Sequence, residues 1–368
     1  MKIVTDEKRL LGPGPCNVSE RVRAALARPM LGHLDPDFLE VMETCKDRLR
    51  GVFRTRNAAT FPVSGTGSAG MEFLLVNFVE PGDRVVVGVN GVFGSRMANL
   101  AEKIGAEVHR ITAAWGEALP LDGLKAAIDE HKPKFFGLVN GETSTGVYQS
   151  VDGLAEAVHA HGGLFALDCV TSLAGMPVEI DARGIDLAFS GTQKCLACPP
   201  GLAPVTVSER AREALARRLR PVPSFYLDLN EILAYINGSG GRSYHHTAPI
   251  SMVVALTEAL AEVLEEGLEA RWERHAEAAR YLTAQFGKRG FTPLVAEGDR
   301  LHPLTTLRLP EGFDETAVRK RLLVEHGIEV GAGLGPLAGK IWRIGLMGHN
   351  ARPEVVDELL AAFDSGTP

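Results

Sequence analysis

No stretch of the 368-residue chain approaches the ~20 consecutive apolar residues of a membrane-spanning helix. The opening run Met1-Lys2-Ile3-Val4-Thr5-Asp6-Glu7 mixes charges and lacks the apolar centre of a secretory signal. The closing run Asp364-Ser365-Gly366-Thr367-Pro368 carries no targeting address, so the expected place is the cytoplasm. Cysteine is scarce: Cys16, Cys45, Cys169, Cys195 and Cys198 are an odd number in a long chain, and read as reduced thiols rather than a disulfide framework. Basic residues do not predominate. Lys and Arg number 39 against 46 Asp and Glu, a net charge of −7, which argues against a general nucleic-acid binder. Internal repeats and low-complexity tracts are absent, and a 23% charged composition excludes wholesale disorder.

What is present is a length suited to about two domains. From about residue 58, short β-rich runs alternate with amphipathic stretches. The expected strands are Thr60–Val63, Arg84–Val89, Glu107–Ile111, Phe135–Asn140, Leu164–Leu167, Asp186–Ser190 and Ala203–Val207. Between them, Ser68–Phe78, Ser95–Ile104, Leu121–Glu130 and Gly153–His161 read as helices. This alternation implies βαβ crossovers and a mainly parallel sheet with helices on both faces. Nearly all-apolar runs such as Val85-Val86-Val87 fit strands buried on both sides. After Thr247 the pattern changes to long helices, Ser251–Leu268 and Glu269–Arg289. Two strands, Pro303–Leu309 and Ile341–Ile344, and the helices Glu315–Glu325 and Pro353–Phe363 then suggest a smaller α+β domain. Gly238-Ser239-Gly240-Gly241 is the clearest mid-chain loop.

Three local signals carry chemistry. Ser64-Gly65-Thr66-Gly67-Ser68-Ala69-Gly70 follows a strand and opens a helix, where free N–H groups and the helix dipole favour an anion. It also fits the dinucleotide pattern G-x-G-x-x-G, but the next strand ends Gly88-Val89-Asn90 without the acid that would hold a ribose. Asp168 ends the run Leu164–Leu167, at the strand end where α/β sheets bind ligands, or else serves as a helix cap. Lys194 follows Ser190-Gly191-Thr192-Gln193; among apolar neighbours its pKa would fall, making it a nucleophile or base, while a solvated loop lysine is the plainer alternative. Together they match the needs of pyridoxal 5′-phosphate (PLP): a phosphate cup, an acid for the pyridine nitrogen and an amine for the aldehyde.

The sequence resembles the class V aminotransferases of PLP fold type I along nearly its whole length. The marks are Leu11-Gly12-Pro13-Gly14-Pro15, Ser64-Gly65-Thr66-Gly67, Gly141-Glu142-Thr143-Ser144-Thr145-Gly146, Asp168-Cys169-Val170-Thr171-Ser172, Ser190–Lys194, Tyr244-His245-His246-Thr247 and Trp342-Arg343-Ile344-Gly345. The resemblance implies an N-terminal active-site segment over 1–20, a large domain over 21–263 with a mainly parallel seven-stranded sheet, and a small α+β domain over 264–368. It implies that Lys194 forms the Schiff base with PLP and carries the α-proton, and that Asp168 pairs with the ring nitrogen. Thr66, Gly67, Ser68 and Gln193 would hold the phosphate. Phe93 would stack on one ring face and Val170 on the other, with Thr143 near the ring hydroxyl and the substrate. Tyr244 and Thr247 would reach the phosphate of a neighbouring subunit in a homodimer, and Arg343 would clamp the substrate carboxylate. Relatives often carry Trp where Phe93 stands and His where Ser68 stands.

The implied reaction moves an amino group from alanine or serine to glyoxylate or pyruvate. A transaminase of the same branch acting on ureidoglycine, aminoethylphosphonate or a taurine-like donor is the alternative. A cysteine desulfurase, a non-catalytic PLP-binding protein and an NAD-dependent dehydrogenase rank below. No metal is expected: Cys195-x-x-Cys198 lacks a second pair, and His245-His246 read as shaping a subunit interface. His33 reads as lining the site mouth or serving a turn.

Overall fold

A computed structural model describes residues 7–237 and 244–366. The expected Gly238–Gly241 loop lies outside the described residues. The strands are β1 (Arg9–Leu11), β2 (Ala59–Ser64), β3 (Arg84–Val89), β4 (Glu107–Thr112), β5 (Phe135–Val139), β6 (Gly141–Glu142), β7 (Val147–Tyr148), β8 (Leu164–Asp168), β9 (Leu187–Phe189), β10 (Leu202–Val207), β11 (Thr292–Pro293), β12 (Leu304–Arg308), β13 (Ile328–Ala332) and β14 (Ile341–Gly345).

The larger sheet has seven strands in the order β2-β10-β9-β8-β5-β3-β4. Only β10 opposes the rest: it pairs antiparallel with β2 and β9, while β9, β8, β5, β3 and β4 run parallel. Val85, Val86 and Val87 are fully buried, as expected of strands covered by helices on both faces. Parallel neighbours need crossovers, supplied by the helices Gly67–Phe78, Val92–Ile104, Leu121–His131 and Leu154–Ala160. This is the architecture of the PLP fold type I enzymes. Because six strands point the same way, their carboxyl ends share one edge, where ligands bind in such sheets. Ser64, Val89, Val139, Asp168 and Phe189 end there.

The second sheet has the order β1-β13-β14-β12-β11. Strands β13 and β1 and the short β11 go beyond the two strands the sequence suggests here. Arg9–Leu11 reaches this sheet from the far end of the chain, pairing parallel with Ile328–Val330. The two long helices are Ile250–Glu266 and Leu268–Gly287, divided at Gly267, whose φ of 84° favours glycine. Helix Leu268–Gly287 packs on the second sheet through Ala278, Leu282 and Phe286.

An aromatic cluster fills this second core. The Phe291 ring lies 5.1 Å from Phe286, 5.2 Å from Phe313 and 5.5 Å from Trp342, mostly edge to face. Phe291 is 2% exposed, so truncation would open a cavity with little room to collapse. Phe291→Ala is expected to cost about 3–5 kcal/mol, read from denaturant unfolding followed by near-UV circular dichroism.

Candidate active site

At the carboxyl edge of the larger sheet a cleft of about 580 Å³ gathers the expected residues. Thr66, Gly67 and Ser68 contribute from the start of helix Gly67–Phe78, and Phe93 from helix Val92–Ile104. Thr143, Asp168 and Val170 line it from strand ends, and Gln193 and Lys194 close it. The glycine turn is needed as built. Gly65 has φ 138°, and a Cβ there would lie 2.6 Å from the Ala69 Cβ. Thr66 caps the helix without a side-chain bond, so the Gly67 and Ser68 N–H groups keep their donor capacity beside the cleft, while Ala69 and Gly70 donate to the Thr66 carbonyl. Buried Gln193 Oε1 has no hydrogen-bond partner among the described residues.

Asp168 terminates β8, 3% exposed. Its Oδ1 accepts from the Val170 N–H at 3.0 Å. Burial, with the nearby Glu142 charge adding to it, pushes the carboxyl up to about 7 despite that bond. The cap expected as the plain alternative is thus present as a local turn bond, and it leaves the second oxygen available. Lys194 is also buried, and burial lowers its amine to about 8, with Arg343 contributing in the same direction. Its Nζ donates to the Pro13 carbonyl. Gly14, at φ 102°, makes room for it: a Cβ there would lie 2.6 Å from the lysine Cδ. Cys16 Sγ donates to the Lys194 carbonyl at 3.1 Å and Cys195 Sγ to the Thr171 carbonyl at 3.2 Å. All five cysteines are buried free thiols, and burial raises them above the ordinary thiol range.

Arg343 arrives from the other sheet. It sits on β14, 7% exposed, and lines an adjoining cleft of about 800 Å³ together with Pro13 and Gly14. Its Nε donates to the Ala332 carbonyl at 2.6 Å and its Nη1 to the Thr143 carbonyl at 3.1 Å. It makes no ion pair among the described residues, which removes the structural salt bridge as its explanation. Pro13-Gly14 therefore stands between the lysine amine and the guanidinium.

Tyr244 and Thr247 lie away from this cleft, on the surface. Tyr244 is 59% exposed; its hydroxyl is 3.3 Å from Thr247 Oγ1 and its ring meets His33 edge-on at 5.3 Å. His245 and His246 hydrogen-bond one another through their Nδ1 atoms, and His246 Nε2 meets Ser64 Oγ at 2.7 Å.

Two site residues escaped the sequence reading. Arg96 lies one turn beyond Phe93; its guanidinium sits 4.8 Å from the Phe93 ring centre and donates to Ser68 Oγ at 3.2 Å. That i, i+3 spacing was the available signal. Glu142 is fully buried and accepts from the N–H groups of Phe93 (2.9 Å), Gly94 (3.4 Å) and Ser144 (3.0 Å) and from the Ser144 hydroxyl (2.6 Å). The Ser144 hydroxyl in turn accepts from Val92 N–H. Helix Val92–Ile104, whose own cap is Gly91, is thus capped by the loop that carries Thr143. No local pattern announces a cap supplied by a distant segment.

Comparisons with known proteins identify the family. The aminotransferase class-V family model matches residues 17–356. The chain is 40% identical to an alanine–glyoxylate aminotransferase of Oryctolagus cuniculus over 98% of its own length and 93% of that protein. A solved alanine–glyoxylate aminotransferase from Nostoc sp. superposes with a TM-score of 0.95 at 45% identity, covering 99% of this chain and 97% of that one. The ureidoglycine–glyoxylate aminotransferase structure from Bacillus subtilis gives a TM-score of 0.96 at 38% identity, covering 99% and 94%. On sequence and fold alike, the chain belongs to the class V aminotransferase family and is a PLP-dependent transaminase.

Proposed function

We propose that this transaminase moves the amino group of a small amino acid, alanine or serine, to glyoxylate or pyruvate. The observation that carries the reading is Arg343, a buried guanidinium without a counter-ion beside the Lys194 amine. A buried charge is costly unless an anion meets it, and a planar fork suits a carboxylate. The relatives named for alanine and glyoxylate support the substrate class. The ureidoglycine relative supports a second reading, since the same clamp would take that donor's carboxylate.

The residues fit PLP. The uncapped N–H groups at Gly67 and Ser68, with Thr66 and Gln193, would hold its phosphate; Phe93 and Val170 would enclose its ring, and Thr143, which lines the same cleft, would meet the ring edge. Bound there, PLP supplies the carbonyl that receives the amino group and a ring that accepts charge. Lys194, neutral in part near pH 8, supplies the amine that holds the aldehyde and a Nζ that carries the α-proton. Asp168 holds a proton at the ring nitrogen. We further assign residues 1–20 to an active-site segment, 21–263 to the PLP-binding domain and 264–368 to the small domain; the second hydrophobic cluster, built on Ala278, Phe286, Phe291 and Trp342, supports the small domain.

A homodimer is part of the proposal. Tyr244 and Thr247 are exposed, and the neighbouring Phe225 and Tyr226 are exposed aromatics packed on His245 and His246. Such a surface suits a second copy that would receive Tyr244 at its phosphate. Sedimentation at micromolar concentration should give a dimer, and a fully active monomer would rule it out.

A panel of alanine, serine, (S)-ureidoglycine and aminoethylphosphonate with glyoxylate tests the substrate. Alanine or serine should be best, Lys194→Ala should abolish turnover, and Arg343→Lys should lower kcat/KM roughly ten- to a hundredfold. Highest activity on the donor without a carboxylate would overturn the reading. For Asp168, the folded pKa of about 7 lies above the ordinary carboxyl value, so the folded cofactor-free protein binds a proton that the unfolded chain releases. Its stability falls as pH rises from about 4 to 7, and the penalty is complete above that range. Cofactor-free Asp168→Asn should therefore be more stable than wild type at pH 8, by at most about 4 kcal/mol, with the gap closing toward pH 4 in thermal melts.

A further inference from the structure

A second cavity, about 670 Å³, lies between helix Leu268–Gly287, the β11–β12 hairpin and the loop that ends at Gly146. It shares no lining residue with the Lys194 cleft. Val295, Leu301 and Leu304 make an apolar floor, each buried. The polar side is set by Glu297, the first residue of the 3₁₀ turn Glu297–Asp299, and by Arg300, which follows the turn in extended conformation. Glu297 is exposed and Arg300 half-buried. Neither forms an ion pair with the other or with any described residue. Arg300 spends only its Nε, on the Val295 carbonyl at 3.1 Å, leaving the outer guanidinium nitrogens. Of the other charged or titratable lining groups, Arg280 is paired with Glu273, and His302 is held toward its neutral form by burial and by Arg280.

We infer that this cavity binds a zwitterionic aliphatic amino acid, with its carboxylate on Arg300, its ammonium on Glu297 and its side chain on Val295, Leu301 and Leu304. One unpaired cation and one unpaired anion at the mouth of an apolar pocket complement a neutral-overall ligand carrying both charges, and neither a simple anion nor a simple amine satisfies both. The walls give the site access to catalysis. Leu301 N–H donates to the Gly146 carbonyl at 2.9 Å, Thr306 Oγ1 to the Thr145 carbonyl at 2.9 Å, and Val147 bridges Arg300. The cavity thus backs onto the same loop that presents Thr143 to the cleft and to Arg343.

The test is calorimetric titration of the PLP-loaded enzyme with L-valine, isovalerate (no ammonium) and isobutylamine (no carboxylate). Valine should saturate one site per chain, with both analogues at least tenfold weaker. Arg300→Met and Glu297→Gln should each weaken valine at least tenfold while turnover of the alanine–glyoxylate pair stays at the wild-type level. Valine binding unchanged in both variants would place it in the Lys194 cleft and overturn the site. Isovalerate binding as tightly as valine would leave a carboxylate pocket only, and absence of saturable binding would also overturn it. Valine that enters the Lys194 cleft also gives heat, so the site is read from the loss of binding in Arg300→Met and Glu297→Gln, a loss that failure of the substrate assignment would not produce.

Discussion

The energetic constraint that organises this molecule is the burial of charge at one sheet edge. Asp168, Glu142, Lys194 and Arg343 are all withdrawn from water, and their distances and partners leave them only partly compensated. Burial drives the first two upward and the last two downward in pKa, so each is pressed toward its neutral form. A chain selected only for stability would replace such groups with apolar ones. Their presence fits the proposed reading, in which a cationic ring nitrogen, an aldehyde and a carboxylate would meet them. Stability given up in the empty protein becomes differential binding when the ligands arrive.

The second constraint is that the site is assembled from two sheets, each with its own hydrophobic cluster, although Leu304 of the smaller sheet packs into the cluster of the larger one. The larger sheet delivers the cup, the acid and the lysine. The smaller sheet delivers the guanidinium, and the N-terminal strand brings Pro13 and Gly14 between them. The loop from Gly141 to Gly146 joins the parts. Through Glu142 and Ser144 it caps the helix bearing Phe93, and through the Thr143 and Thr145 carbonyls it accepts bonds from Arg343 and Thr306 of the smaller sheet. The helix that bears Phe93 and the guanidinium of Arg343 therefore both lean on one short backbone segment.

Much of this was legible in the sequence because it is local. The alternation of apolar runs and amphipathic stretches located all seven strands of the larger sheet to within a residue or two. The glycine turn, Asp168 and Lys194 announced themselves by following strands. Contacts between distant segments left no such trace. Arg9–Leu11 is too short for periodicity to mark it, and its partner Ile328–Ala332 carries a glutamate and a glycine that dilute the β signal. Glu142 stood inside a quoted motif, but its donors come from a helix start some fifty positions upstream. Arg343 was marked by apolar neighbours, while its bond to the Thr143 carbonyl depends on how the two sheets face one another.

The parallel pairing of Arg9–Leu11 with Ile328–Val330 has a consequence for biosynthesis. The first strand to leave the ribosome is among the last to find its neighbour, so it remains an unsatisfied edge while the larger sheet can already close. Pro13, which accepts from the Lys194 amine, is two residues beyond that strand. A nascent chain that has closed the larger sheet but not yet exposed Ile328–Val330 therefore holds the strand leading to Pro13 only through the Cys16 bonds to Gln193 and Lys194, so the lysine's surroundings tighten late in synthesis.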